Sequence, residues 1–245
     1  MKNTLTYFLL LFFGITLPPA CKKENRCDCI KRTGTIIIEK RDIQGFDKLY
    51  IEDNLTVFLT QDTNFSVKVE GGKNIVPLIK TELNNGTLII KNNNRCNWTR
   101  SYDKPLNVYV SMPVINTITM DGTGKIVGTN TITTDTIDVQ VKNSGDIELT
   151  VNNKKIISRM HGSGDVTLHG TTIDHFSDIG GAGYLQCENL FTAYTYLHTY
   201  TLGLCYVRCS NSIDCKIDYK GDVYCYGNPS LVTKKINGSG QLHFQ

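Results

Sequence analysis

Residues 143–149 read NSGDIEL and residues 162–168 read GSGDVTL, and these two similar segments decide the fold that we expect. The same spacing continues through the C-terminal half, where glycines recur at steps of 18 to 21 residues. The glycines of this series are Gly124, Gly145, Gly164, Gly183, Gly203, Gly221 and Gly240. A unit of about 20 residues repeated in tandem is typical of a solenoid, in which similar coils stack on one another.

The positions around the glycines repeat with them, which the choice of glycines alone does not explain. Two residues after each glycine stand Ile126, Ile147, Val166, Leu185, Cys205, Val223 and Leu242. The positions four before and four after are also nearly all apolar, whereas the position directly after the glycine is mostly polar. Such alternation predicts strands with one buried face. We therefore expect an all-β solenoid of about 19–21 residues per coil, with corners at which glycine adopts a positive φ.

Residues 35–113 are also rich in β-forming residues but are less periodic. The expected strands cover residues 35–40, 48–60, 65–70, 87–91 and 106–112. A short helix is expected within residues 75–83. No linker separates this portion from the repeats, so we interpret residues 35–245 as one domain.

The first residues resemble a bacterial signal peptide rather than part of the fold. Lys2 gives a positive start, and residues 5–17 are an apolar run too short to span a membrane. After Pro18, Pro19 and Ala20 comes Cys21, which is succeeded by polar residues, as in bacterial lipoproteins whose first mature residue is a lipidated cysteine. We expect a signal peptide over residues 1–20, lipid on Cys21 and a tether over residues 21–34. The alternative is ordinary secretion, with Cys21 in a disulfide.

Charge and cysteine content restrict the possible functions. The formal net charge of +3 is not clustered, so we expect no nucleic-acid surface. The chain has nine cysteines, which permit disulfides in an exported protein, and Cys27, Cys29 and Cys96 are the better candidates. Three late cysteines fall in apolar positions and are expected to pack in the core as free thiols. These are Cys187, Cys205 and Cys225.

Acidic residues in register raise the alternative of a polysaccharide lyase, an enzyme class that also uses the β-helix. Asp146 and Asp165 occupy the same position in adjacent coils, but the next coil has Tyr184 there. A lyase needs clustered carboxylates for calcium and a base. Arg159 and His161 are near in sequence and are expected on opposite faces of a strand, and no histidine has the spacing of a metal site. We expect no enzymatic activity, no metal and no cofactor.

Tyrosines suggest a ligand-binding surface in the last coils, since eight of the twelve lie between residues 184 and 226. Tyr206 and Tyr224 share an outward position three after the glycine on neighbouring coils, and Tyr184 precedes them. Exposed rings can stack on sugars or anchor a protein, although tyrosine also suits any exposed strand. The sequence therefore predicts a candidate ligand surface at these three tyrosines. Further tyrosines expected nearby are Tyr194, Tyr196, Tyr200 and Tyr226.

Four short segments carry a family resemblance. Residues 45–49 read GFDKL, the stretch 74–88 ends in NGTL, residues 227–229 read GNP, and residues 237–240 read NGSG. Together with the Gly-x-Gly units, they resemble the putative auto-transporter adhesin head GIN domain, a family common in Bacteroidetes. The resemblance covers about 200 residues, and it implies a right-handed β-helix-like fold in an exported, often lipid-anchored protein without described catalytic residues. This chain departs from the family by the cysteines of its late coils and by two degraded Gly-x-Gly units.

The sequence thus favours a cell-envelope lipoprotein, held at the outer membrane through its lipid and either periplasmic or surface-exposed. The expected partner is a glycan or a cell-surface protein, with the domain acting as a putative adhesin, a binding module or a scaffold, and a homo-oligomer is compatible with the sequence. The alternative is a polysaccharide-degrading, lyase-like enzyme on the same fold. A patch of three or more carboxylates with a basic residue would favour the enzyme, and an aromatic face without such a patch would favour binding.

Overall fold

The computed structural model of the protein describes residues 32–94 and 104–245, and it confirms the all-β fold. Apart from one 3-10 turn, Val76–Leu78, the regular structure in these ranges is strand. The strands are β1 (Ile36–Arg41), β2 (Lys48–Asp53), β3 (Thr56–Gln61), β4 (Ser66–Gly72), β5 (Ile79–Asn84), β6 (Thr87–Asn92), β7 (Asn107–Met112), β8 (Thr117–Gly122), β9 (Lys125–Ile132), β10 (Thr136–Val141), β11 (Asp146–Met160), β12 (Val166–Gly181), β13 (Leu185–Thr201), β14 (Cys205–Ile217), β15 (Val223–Tyr226), β16 (Leu231–Ile236) and β17 (Leu242–Phe244). Within the described ranges we find no helix with the length and apolar character that a membrane span needs.

The strands form two ladders along one stack of coils. The first ladder runs β5–β6–β2–β8–β10, then through the C-terminal parts of β11 to β14, and ends at β16. The second ladder runs β1–β4–β7–β3–β9, then through the N-terminal parts of β11 to β14, and ends at β15 and β17. Pairing is parallel except at one end of the stack, where the pairs β1–β4, β4–β7 and β5–β6 are antiparallel. The long strands β11 to β14 each cross from one ladder to the other, which makes the fold a parallel β-solenoid.

The repeat predicted from the sequence is the register of the second ladder. The residues that pair in succession are Ile126, Ile147, Val166, Leu185, Cys205, Val223 and Leu242. The first six of them have no exposed surface. The buried column is therefore confirmed, and each coil buries its apolar side chains against the coils on either side of it.

The repeated glycines have a different role from the one expected. The sequence predicts a positive φ at these corner glycines, but none of the seven repeat glycines has one. Positive φ occurs instead at other glycines, such as Gly170 and Gly181. A Cβ built on Gly164 would overlap the carbonyl oxygen of Gly145, and one on Gly183 would overlap that of Gly164. Glycine is thus required at the corners because successive backbones approach too closely for any side chain.

The N-terminal portion stacks in an order that differs from the sequence. β2 lies between β6 and β8, and β3 lies between β7 and β9. The coil formed by β2 and β3 is therefore inserted between two coils that come later in the chain. This long-range insertion explains why the columns read from neighbouring repeats do not extend into this portion.

Two local predictions in the same portion were wrong. The strand expected over residues 48–60 is divided at Asp53, whose φ of 64° turns the chain. The helix expected within residues 75–83 is only the 3-10 turn, after which β5 pairs with β6 in an antiparallel hairpin. Asn85 and Gly86 both have positive φ, as a tight hairpin turn requires.

The late cysteines pack in the core, as predicted. Cys187, Cys205 and Cys225 are free thiols without exposed surface. Cys187 and Cys225 share one column but are separated by Val207, which pairs with both. Burial raises the pKa of Cys205 to about 12, so its thiol stays protonated and unreactive at neutral pH. Cys21, Cys27, Cys29 and Cys96 lie outside the described residues.

A buried histidine interrupts this apolar core. His175 has no exposed surface, and its Nε2 lies 3.0 Å from Oγ of Ser158 and 2.8 Å from Oγ of Ser177. Its Nδ1 is buried without a hydrogen-bond partner among the described residues. Burial lowers the pKa of His175 from 6.5 to about 4, so the imidazole stays neutral in the folded protein near pH 7.

We expect His175 to make the protein sensitive to mild acid. His175 binds a proton near pH 6.5 in the unfolded state but only near pH 4 in the folded state. The free energy of unfolding therefore falls as pH decreases from about 6.5 towards 4. The loss should reach about 3 kcal/mol, measured as the free energy of unfolding in urea at several pH values. His175→Leu should flatten this dependence, whereas the exposed His161→Leu should keep it. Parallel curves for wild type and His175→Leu would contradict the assignment.

Candidate binding surfaces

The three predicted tyrosines gather on the outward side of the second ladder. We term the cluster of Tyr184, Tyr206, Tyr224, Tyr226 and His243 the Tyr206 surface. Tyr206 pairs in register with Tyr224, and Tyr224 with His243. The ring centroids are 5.3 Å apart in the first pair and 4.8 Å in the second, and the rings are close to parallel. Three successive coils thus carry one continuous aromatic stack.

Tyr184 lies beside this stack rather than within it. It stands two residues before Gln186, the residue that pairs with Tyr206. Its backbone N–H donates a hydrogen bond of 2.8 Å to Oδ1 of Asp165, while its side chain is 43% exposed. Its position is therefore fixed through the backbone, and its ring is left available.

The electrostatics of Tyr206 reflect how closely these side chains gather. Burial raises the pKa of Tyr206, and the neighbouring hydroxyls of Tyr224, Tyr226 and Tyr184 and the carboxylate of Glu188 raise it further. The phenol of Tyr206 therefore remains a neutral hydrogen-bonding group at physiological pH.

The stack offers a ligand less flat ring surface than the sequence suggested. Both faces of Tyr224 are occupied, one by Tyr206 and the other by His243. Tyr224 can therefore offer a ligand its edge and hydroxyl but no open ring face. Tyr184 has the most exposed side chain of the three predicted tyrosines, at 43%, while the second face of Tyr206 is turned towards Gln186 of the preceding coil.

Three other tyrosines do not join this cluster, which corrects the expectation that they lie nearby. Tyr194, Tyr196 and Tyr200 belong to the part of β13 that pairs in the first ladder. Because β13 turns from one ladder to the other, its two ends present their side chains on different faces of the solenoid. The residues therefore contribute to a separate surface.

This separate surface contains a groove of about 490 Å³, which we term the Tyr196 groove. One row along it is Ile157, Phe176, Tyr196 and Asp214, which pair in register. A second row is Arg159, Asp178, His198 and Lys216. The rings of Phe176 and Tyr196 are stacked at 4.5 Å with an angle of 7°. The first row lies seven residues before the repeat glycines and the second row five residues before them. This constant spacing is the sequence signal that could have identified both rows.

Ion pairs hold the polar row of the groove in place. Arg159 pairs with Asp138, and Lys216 pairs with Asp218. Nε2 of His198 lies 2.8 Å from Oδ2 of Asp218. Hydrogen bonds from Lys216, Asn237 and His198 hold the pKa of Asp218 well below its usual range, so it is a carboxylate at physiological pH. The charged groups of this row are thus largely neutralised within the protein.

The acidic pair considered for catalysis is engaged by the backbone. Oδ1 of Asp146 accepts a hydrogen bond of 2.9 Å from the N–H of Asp165, and Oδ1 of Asp165 accepts one of 2.8 Å from Tyr184. Each carboxylate thus satisfies a donor at the corner of the next coil. Within residues 32–94 and 104–245, no group of three or more His, Cys, Asp or Glu side chains is arranged to hold a metal ion.

The expected separation of Arg159 and His161 was wrong. Met160 between them is buried, and both flanking side chains point outward, because residues two apart on a strand share a face. Arg159 pairs with Asp138, whereas Nδ1 of His161 lies 3.1 Å from the hydroxyl of Tyr200. The side chains of Arg159 and His161 therefore lie on the same face of the solenoid but contact different partners.

The sequence matches the model of a protein family over residues 45–229. The family is described as the putative auto-transporter adhesin, head GIN domain. A comparison with curated proteins gives no significant match.

Solved structures share the fold. A putative adhesin from Bacteroides fragilis aligns with a TM-score of 0.81 at 22% identity, covering 88% of this chain and 100% of that chain. A putative adhesin from Parabacteroides merdae gives 0.66 at 12% identity, covering 88% and 98%. A putative lipid binding protein from Parabacteroides distasonis gives 0.64 at 17% identity, covering 88% and 100%. At these identities the similarity establishes the fold alone.

Proposed function

Because the chain belongs to the putative auto-transporter adhesin head GIN domain family, we propose that it is a cell-envelope protein that binds a glycan or a protein ligand. The observation that carries the proposal is the Tyr206 surface, which gathers aromatic rings and hydroxyl groups on a stack of paired strands. Tyrosine supplies large contact area with few rotatable bonds, so it binds at low entropic cost. Side chains held by a ladder are also already ordered before a ligand arrives.

The ligand should contact Tyr184, whose side chain is 43% exposed, and the neighbouring Tyr206. We expect at least one glycan on an array to bind the purified protein, and the double variant Tyr184→Ala/Tyr206→Ala to weaken that binding by about tenfold or more. The matched control is Tyr109→Ala, because Tyr109 stacks on Phe58 at 5.2 Å on the same ladder but far from the cluster. Equal binding by wild type and the double variant would refute the proposed site.

We also propose that Cys21, which lies outside the described residues, carries the lipid that holds the protein at the outer membrane. The support is its position directly after the apolar run of the signal peptide. A metabolic lipid probe should label the wild type and not Cys21→Ser. Similar labelling of both would show that the anchor, if present, is attached elsewhere.

We also propose that no catalysis depends on the pair Asp146 and Asp165. Asp146 and Asp165 each use one oxygen on a backbone donor, which leaves few ligands for calcium, a cation that takes six to eight. The test is an assay of the protein with calcium against a polysaccharide panel. Turnover that Asp146→Asn/Asp165→Asn abolishes would instead support a lyase.

A further inference from the structure

We propose that the Tyr196 groove is a second binding site, specific for a neutral oligosaccharide and independent of the Tyr206 surface. It lies on the first ladder, whereas the Tyr206 surface lies on the second. A ligand in the groove therefore contacts none of the residues assigned above to ligand binding. The two faces would give one domain two separate sites.

Tyr196 is the stacking residue of the groove. Phe176 has no free ring face. Tyr196 covers one face, and Nζ of Lys155 lies over the ring at 4.5 Å from its centroid. Within the described part of the chain, Phe176 is the ring stacked on Tyr196, and the next residue in the row is the smaller Asp214. One ring face of Tyr196 is thus open towards the groove. Apolar faces of sugar rings pack on exposed aromatic faces of this kind.

Asp178 supplies an unused hydrogen-bond acceptor in the groove. Its Oδ1 is shielded from solvent and has no hydrogen-bond partner among the described residues. The atom lies 3.4 Å from Nδ1 of His198, beyond a normal hydrogen-bond length. The Asp178 side chain as a whole is 46% exposed, so its other carboxylate oxygen, Oδ2, is accessible to a hydrogen-bond donor of a ligand. Sugar hydroxyls are such donors and carry no charge.

The charge of the groove disfavours an anionic ligand. Arg159 is neutralised by Asp138, and Lys216 by Asp218, while Asp178 and Asp214 add acidic groups. No excess of positive charge lines the groove to attract a uronate or phosphate, and the cations present are already paired. A polyhydroxylated, uncharged molecule meets both donors and acceptors here without having to displace an ion pair.

The dimensions suit an oligosaccharide of a few units. The groove crosses four coils, which at the spacing of neighbouring strands gives a length of about 14 Å. Its volume of about 490 Å³ lies in the range of small-molecule sites. Both rows are built on paired strands, so the site is formed before the ligand binds.

The experiment is calorimetric titration of the purified protein with tetrasaccharides of glucose, xylose, mannose and N-acetylglucosamine, and with tetragalacturonate as the acidic counterpart. At least one neutral tetrasaccharide should bind, and Tyr196→Ala should weaken it by about tenfold or more. The matched control is Tyr194→Ala: Tyr194 is 38% exposed, Tyr196 is 39% exposed, and both lie on the same face of β13, but only Tyr196 lines the groove. Asp178→Asn should weaken binding by about threefold.

The outcomes separate this site from the other one. Binding that survives Tyr184→Ala/Tyr206→Ala and Tyr194→Ala but is lost in Tyr196→Ala supports the proposal. Absence of binding by every neutral tetrasaccharide, equal loss in both single variants, or preference for tetragalacturonate overturns it. If Tyr196→Ala fails to fold, Tyr196→Leu keeps an apolar side chain on Phe176 and gives the same test.

Discussion

Val166→Asp is expected to destabilise the protein by about 4 kcal/mol or more, a large part of the stability of an ordinary domain. Val166 has no exposed surface and lies between Ile147 and Leu185 in the buried column. A carboxylate there would lose its hydration without gaining a partner, and it would interrupt the column on both sides. The free energy of unfolding, measured by urea titration with circular dichroism, reports the loss.

The adjacent residue provides the control. Thr167 points outward and pairs in register with Glu148 and Gln186. Thr167→Asp adds a solvated charge at a half-exposed position, and we expect it to cost under about 1 kcal/mol, including repulsion by Glu148. Similar midpoints for the two variants would show that the assigned register is wrong.

Gly164→Ala is the second substitution for which we expect a large effect, about 3 kcal/mol or more. The added methyl group would overlap the carbonyl oxygen of Gly145, which is backbone and cannot move aside without disturbing its own coil. Gly164 does not have a positive φ, so the strain of the left-handed region does not contribute to the loss. The loss would therefore come from the close approach of two coils.

Gly45→Ala separates this steric effect from conformational strain. Gly45 has a φ of +77°, but no atom lies within 4 Å of a Cβ built on it. Alanine there meets only the strain of the left-handed region, about 1 kcal/mol. Thermal unfolding of both variants makes the comparison, and a larger loss for Gly45→Ala than for Gly164→Ala would contradict the assigned role of the repeat glycines.

The positions of the tyrosines show which parts of a binding surface the sequence pattern predicts. Tyr206 and Tyr224 were assigned to one outward column, and the structure stacks them. Tyr196 was grouped with them because it is close in sequence, but β13 turns between the ladders and places it elsewhere. Proximity along a coil does not give proximity in space when a coil of about 20 residues has more than one face.

The N-terminal portion was harder to predict for a related reason. Its strands were mostly placed correctly, because local β-propensity and the turn at Asn85 and Gly86 act over a few residues. The insertion of β2 and β3 between later coils leaves no periodic signal, since it depends on pairing between segments roughly 40 to 70 residues apart. Such pairings are selected by the free energy of the whole stack rather than by any local preference.

The sequence by itself determined the coil: its length, its buried column through Val166, and its glycine corners. These follow from alternation of period two and a constant step, which any stack of paired strands must keep to bury its side chains. Only the tertiary structure decided why glycine is required at Gly164, which tyrosines meet, and that Phe176 and Tyr196 border a groove with Asp178. Those outcomes depend on distances between neighbouring coils and on where each strand turns, and a linear pattern contains neither.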